Sequence, residues 1–191
     1  MVSRAAARFG LVCLLLVACR SAPARFFVLT AEAEQVPVVE GALPLELALA
    51  PVRLPALLDR PQLVTVVEGQ ERRLTETARW IESLDENVTR VLAENLSRLL
   101  GTEQVVRLPT GRRGETYDYT LHVEVLRFDV TPGEQALLEV RWDWEQAGVE
   151  GVVPQRERVV VPLTGLSDSD AVAAMSACLA ELAERLAAEL G

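Results

Sequence analysis

Cysteine at the end of an apolar run is a site for lipid chemistry. Phe9 to Ala18 (FGLVCLLLVA) is an unbroken stretch of small and apolar residues, and it closes in Leu16-Val17-Ala18-Cys19. A branched apolar residue, a small residue just before the cut and then cysteine fit the lipobox of bacterial lipoprotein precursors. Only a thiol at this place accepts a diacylglyceryl group as a thioether, and cleavage before Cys19 frees an amine that takes a further acyl chain. Each buried methylene contributes about 0.8 kcal/mol, so two or more chains hold a protein stably at a membrane. Cys19 is therefore the expected lipid-attachment site. The competing readings are a plain secretory signal that contains a cysteine, or a buried N-terminal strand.

The other residue types that carry chemistry point away from catalysis. The chain has no lysine, which removes the GK[ST] phosphate loop of an ATPase, Ser-Lys nucleophile pairs and Schiff-base chemistry. The single histidine, His122, lies in an alternating segment on the face opposite Tyr119, Leu121 and Val123, where it reads as a solvated strand residue rather than a base. No CxxC pair, HExxH helix or GxSxG elbow occurs, so no metal site, cofactor or nucleophilic site is expected. Cys178 falls among apolar positions of a predicted helix and reads as core. With Cys13 in the leader and Cys19 modified it would be the one thiol of the mature chain, so no internal disulfide forms. Trp142 and Trp144 share a strand face and Trp80 precedes a helix; the choice is core packing or an apolar contact surface. Arg60, between Asp59 and Pro61 in a turn, is open to a partner contact or a local ion pair. The expectation is a protein that is not an enzyme.

The elements that position these residues follow from periodicity. Arg4 and Arg8 precede the apolar run, and every Asp and Glu comes after Thr30. Residues 1–18 therefore read as a lipoprotein signal peptide, whose apolar run from Phe9 to Ala18 is about half of the roughly 20 residues a spanning helix needs. Residues 19–24 read as a lipidated tether and 25–191 as a single domain. Phe26 to Leu29 predicts a first strand, Ala31 to Pro44 a loop, and Leu45 to Val52 a second strand. Gln62 to Glu68 and Arg72 to Thr77 predict a hairpin around Gly69. Ser83-Leu84-Asp85-Glu86 has capping-box spacing ahead of a helix whose stripe is Leu84, Val88, Val91, Leu92, Leu96 and Leu99, stopped at Gly101. Val105 to Leu108 predicts a short strand before the Thr110 to Glu115 loop.

From Tyr117 the apolar phase runs through Leu121, Val123 and Val125 and then switches to Leu126, Phe128 and Val130, which predicts a bulge or a bend near Val125. Leu138 to Trp144 and Val149 to Val161, the latter interrupted by Pro154, extend this into a three-stranded meander. A last helix opens at Ser167 to Asp170 and carries Val172, Met175, Leu179, Leu182, Leu186 and Leu190 in one stripe. The expected fold class is α+β, a mostly antiparallel sheet with two main helices packed on it.

The formal charge of −9 becomes −11 when a leader carrying Arg4 and Arg8 and no acid is removed. That sign disfavours nucleic acid as a partner. Arg20 stands where an Asp would mark retention at the inner membrane in enteric bacteria, so the periplasmic face of the outer membrane is the expected location.

Several segments together resemble the ABC-type transport auxiliary lipoprotein family. They are Phe26 to Leu29 soon after the lipid cysteine, Val52-Arg53-Leu54-Pro55 to Asp59-Arg60-Pro61, and Arg79-Trp80-Ile81-Glu82-Ser83-Leu84 leading into Val91 to Leu96. Tyr119 to Asp129, Arg141-Trp142 and the alanine-rich closing helix follow in the same order. Ser83 stands where proline is frequent in relatives, which leaves the helix start intact. The resemblance implies an accessory outer-membrane lipoprotein working with an ABC permease, an ATPase and a periplasmic MCE-domain protein in intermembrane lipid transport. Its task would be to dock or cap the periplasmic conduit, and a homo-oligomeric ring would suit that task. Two other roles compete: assisting assembly of another envelope complex, or carrying lipid or solute independently.

Overall fold

A computed structural model describes residues 22–36, 46–102, 105–108 and 117–190. The predicted signal peptide, Cys19 and the loop at 110–115 lie outside the described residues, as does most of the loop expected at 31–44. Among the described residues, eight strands and two helices follow in the order β1 (Arg25–Phe27), β2 (Leu47–Leu49), β3 (Gln62–Val66), β4 (Arg72–Trp80), α1 (Leu84–Leu100), β5 (Val105–Arg107), β6 (Tyr119–Thr131), β7 (Gln135–Gln146), β8 (Gln155–Pro162) and α2 (Asp168–Ala188).

The larger sheet has the order β5-β2-β6-β7-β8 and the smaller one β1-β4-β3. The α+β class holds, but the sheets are mixed rather than mostly antiparallel. The hairpin β3–β4 and the meander β6–β7–β8 are antiparallel, as short connections require. In contrast β1 pairs parallel with β4, and β2 lies parallel between β5 and β6. Each parallel strand is three residues long and meets its partner only after a long excursion of chain. A span that short carries too little alternation to reveal its direction.

The phase switch in β6 is a bulge. Pairing with β7 runs through Val125↔Val140 and resumes at Arg127↔Glu139, leaving Leu126 as the extra residue. The insertion returns Phe128 and Val130 to the face already occupied by Leu121, Val123 and Val125, all of them buried. That face, with Ala136, Leu138, Val140 and Val159, is covered by α2, whose Val172, Met175, Leu179, Leu182 and Leu186 are buried. The small residues Ala171, Ala174, Cys178 and Ala183 are buried as well, so α2 is enclosed by α1 in addition to the sheet.

The helix ends differ from each other. Ser167 and Asp170 form a complete capping box at α2: the serine hydroxyl accepts from the Asp170 N–H at 3.1 Å, and the Asp170 carboxylate accepts from the Ser167 N–H at 3.0 Å. The capping box expected at Ser83 does not form, because Ser83 makes no side-chain cap bond; acidic Asp85 and Glu86 serve the positive helix end instead. Gly101, left-handed at φ 58°, closes α1 as expected. The strand expected from Val149 begins only at Gln155, after Pro154, whose missing N–H ends the ladder there.

Candidate functional site

If Cys19 carries the lipid, the chain that follows it must transmit the attachment to the fold, and the structure describes that chain from Ala22 onward. Ala22 to Ala24 lead into β1, which lies parallel on β4, with Phe26 opposite Arg79 and Phe27 opposite Trp80. The guanidinium of Arg25 sits 5.5 Å from the Phe27 ring centroid and pairs with Asp168 at the start of α2. Phe27 packs against the core while Phe26 faces out.

Beyond β1, residues 28–36 run as an extended strap along α1 without belonging to a sheet. Five of their backbone groups are met by side chains of α1. The Asn87 Oδ1 accepts from the Leu29 N–H at 3.1 Å, and Arg90 donates to the Leu29 carbonyl at 3.1 Å. Two turns further on, the Asn95 Oδ1 accepts from both Glu32 and Ala33 N–H at 3.0 Å, and Arg98 donates to the Ala31 carbonyl at 2.8 Å. Ser176 of α2 accepts from the Thr30 N–H at 3.1 Å, and the Val36 N–H donates to the Arg98 carbonyl at 2.9 Å. Both asparagines are fully buried. Arg90 is steadied by Glu82 at 2.9 Å and by the Asn87 Oδ1 at 2.7 Å, and Arg98 by Glu94 at 2.5 Å.

The clamp has a sequence signature that periodicity alone passes over. Asn87-Val88-Thr89-Arg90 and Asn95-Leu96-Ser97-Arg98 repeat the pattern Asn, apolar, hydroxyl, Arg at a step of eight residues. An asparagine and an arginine three apart lie on adjacent turns of one helix face, one accepting and the other donating. Two amides inside an otherwise apolar stripe are the signal, since a buried amide needs partners from elsewhere in the chain.

The remaining residues singled out from sequence are dispersed. Cys178 is buried, and burial pushes its thiol up to about 12, with the Glu181 charge adding to the rise against a smaller opposing contact from the Val161 backbone. His122 lies at the surface, 3.0 Å from Glu145 on β7. Trp80 and Trp142 are core residues; Trp144 is half-buried and meets Tyr119 edge-on at 6.3 Å. Trp142 and Trp144 help line a cavity of about 240 Å³, with Val152, Val153 and Glu189 near the end of α2. A larger open groove of about 650 Å³ at the start of α1 is edged by Glu82, Asp85, Glu86 and Arg107. Arg60 is half-buried in its turn and has no ion pair among the described residues. No group of three His, Cys, Asp or Glu among the described residues is arranged to hold a metal ion. The structure thus brings together β1, the strap at 28–36 and the two Asn/Arg clamps; it leaves His122, Arg60 and Cys178 apart from them.

Residues 27–187 match the family described as the ABC-type transport auxiliary lipoprotein component. Protein XCC0632 from Xanthomonas campestris, of the family DUF330, superposes with a TM-score of 0.70 at 16% identity, covering 87% of this chain and 94% of that one. A second solved structure, titled as an uncharacterized protein, gives 0.66 at 18% identity over 85% of this chain and 99% of its own. These likenesses establish a shared fold. No curated protein matches by sequence.

Proposed function

This chain belongs to the ABC-type transport auxiliary lipoprotein family, an accessory component of transport, and we propose that it serves an ABC permease, ATPase and periplasmic MCE-domain protein that move lipid between membranes. In this reading residues 1–18 are removed, Cys19 is lipidated, and the folded domain docks on or caps the periplasmic conduit at the outer membrane. The observation that carries the reading is the family match over residues 27–187, which starts eight residues after Cys19. The strap supports it, because a protein held by its first residue needs a firm junction between tether and core. Such a role asks for an anchor and a contact surface and no reacting group, in keeping with the dispersal of His122, Cys178 and the carboxylates.

The test is affinity purification of the tagged full-length protein in mild detergent. Recovery of an MCE-domain protein and a permease is expected; repeated recovery of neither would sink the proposal. Cys19→Ser should abolish incorporation of labelled palmitate, and a variant that still incorporated it would overturn the assignment of the lipid to this residue.

A further inference from the structure

Three of the four most exposed large apolar side chains among the described residues lie on β1, just past the end of β4 to which it pairs, and two residues before Asp168, the ion-pair partner of Arg25. Phe26 is 62% exposed, Ile81 69% and Leu166 77%. In the β1–β4 ladder Phe26 is opposite Arg79, and the Ile81 N–H donates to the Phe27 carbonyl at 3.0 Å. Alternation therefore puts Phe26, Arg79 and the Ile81 that follows on the outer face, away from buried Ala78 and Trp80. Leu166 comes two residues before Asp168, the ion-pair partner of Arg25, which brings it to the same end of the molecule. Arg25 and Arg79 flank the group with side chains still partly open to solvent.

We propose that this end of the domain, carrying Phe26, Ile81 and Leu166, rests in the surface of the phospholipid bilayer. The inference builds on lipidation at Cys19. Phe26 is seven residues from Cys19, and a chain of that length spans at most about 24 Å. The patch is thus held within short reach of the headgroups, at a high effective concentration of membrane. Apolar side chains entering the interface beside arginines that meet lipid phosphates are a combination suited to that boundary. The fourth side chain of the set, Val153 at 78% exposure, marks the far end: it shares a cavity with Glu189 at the close of α2, whereas Arg25 pairs with Asp168 at its start. A helix of 21 residues separates the two ends by roughly 30 Å.

The test uses the full chain, matured in a bacterial host and reconstituted into vesicles of phosphatidylethanolamine and phosphatidylglycerol that contain doxyl-labelled lipid. Phe26→Cys, Ile81→Cys, Leu166→Cys and Val153→Cys are each labelled with a small environment-sensitive fluorophore; native Cys178 is buried. The first three labels should be quenched at least about twofold by doxyl lipid and protected from aqueous iodide, the pattern of an interfacial residue. The Val153 label should show the reverse. If all four respond to iodide and not to doxyl lipid, the domain stands clear of the membrane and the proposal fails. If the first three are shielded from both quenchers, a protein surface covers the patch and the proposal fails equally. Intact mass of the unlabelled protein reads the anchor separately: acyl groups with no doxyl quenching refute the docking alone, whereas their absence refutes the anchor and the docking together.

Discussion

Asn95 is a single amide on which two backbone N–H groups of the strap depend, those of Glu32 and Ala33. Replacing it with leucine keeps the volume apolar and orphans both donors, each costing about 1–3 kcal/mol when buried. Glu32 is exposed, and the substitution also removes the buried Asn95 Nδ2, which has no partner among the described residues. Asn95→Leu should therefore lower stability by about 2–3 kcal/mol, the low end of the sum, and the melting temperature by roughly 5–10 °C, read by calorimetry. Amide exchange should rise in residues 28–36 while the α1 core stays protected; unchanged exchange in the strap would show that the clamp is not what holds it. Cys178 gives a second test at this scale. Its thiol is pushed from an ordinary 9.0 up to about 12, so the folded state keeps a proton that the unfolded state releases. This contribution to stability is complete below pH 9 and declines as pH rises from 9 towards 12. Native protein at pH 8 should resist maleimide and react only on unfolding; Cys178→Ala should remove that part of the alkaline decline. The clamps show how a site can be legible and still be passed over. Each Asn and Arg reads as an ordinary polar helix residue until the eight-residue repeat is noticed, and their partners are backbone groups about 60 positions away that no local pattern marks.

Among the elements, the two helix starts make a paired experiment, since both have the spacing of a capping box and only one forms it. Ser167→Ala should destabilise the protein by about 1 kcal/mol, whereas Ser83→Ala should change little, as its hydroxyl makes no cap bond. Equal effects in urea titrations would contradict the structural difference. Hydrogen bonds from Ser167 hold the Asp170 carboxyl below its ordinary 3.8. A lowered folded value gives stability that is present above the unfolded value and lost as pH falls through the folded one. Asp170→Asn should therefore flatten the stability profile below about pH 4. Long elements were legible because their periods are long: the α2 stripe, the meander and even the bulge at Leu126 are written into the apolar phase. The strands β1, β2 and β5 were legible as strands, but their parallel direction was not, because a three-residue segment has one alternation, and its partner is chosen by where the intervening chain travels.

For the molecule as a whole, the two sheets meet where β3 lies against β6 and through the Arg72–Asp129 ion pair at 3.2 Å, from β4 to β6. One apolar cluster draws on β1, β4, both helices and the meander. Leu179, fully buried within it, should cost about 2–5 kcal/mol on truncation to alanine, and unfolding should remain a single transition by fluorescence and circular dichroism alike; two separate transitions would show that the sheets melt independently. The strap gives this architecture a mechanical character. In an anchored chain, any pull between membrane and domain enters at β1 and runs lengthwise along residues 28–36, with backbone grips spaced along α1 and a further one from α2. Load shared among such grips is resisted in shear rather than peeled from one end, so the junction acts as a strain relief. If Cys19 carries the lipid, a pull on it reaches the short β1–β4 ladder first and is then shared with the strap, before the meander and its helices feel the force.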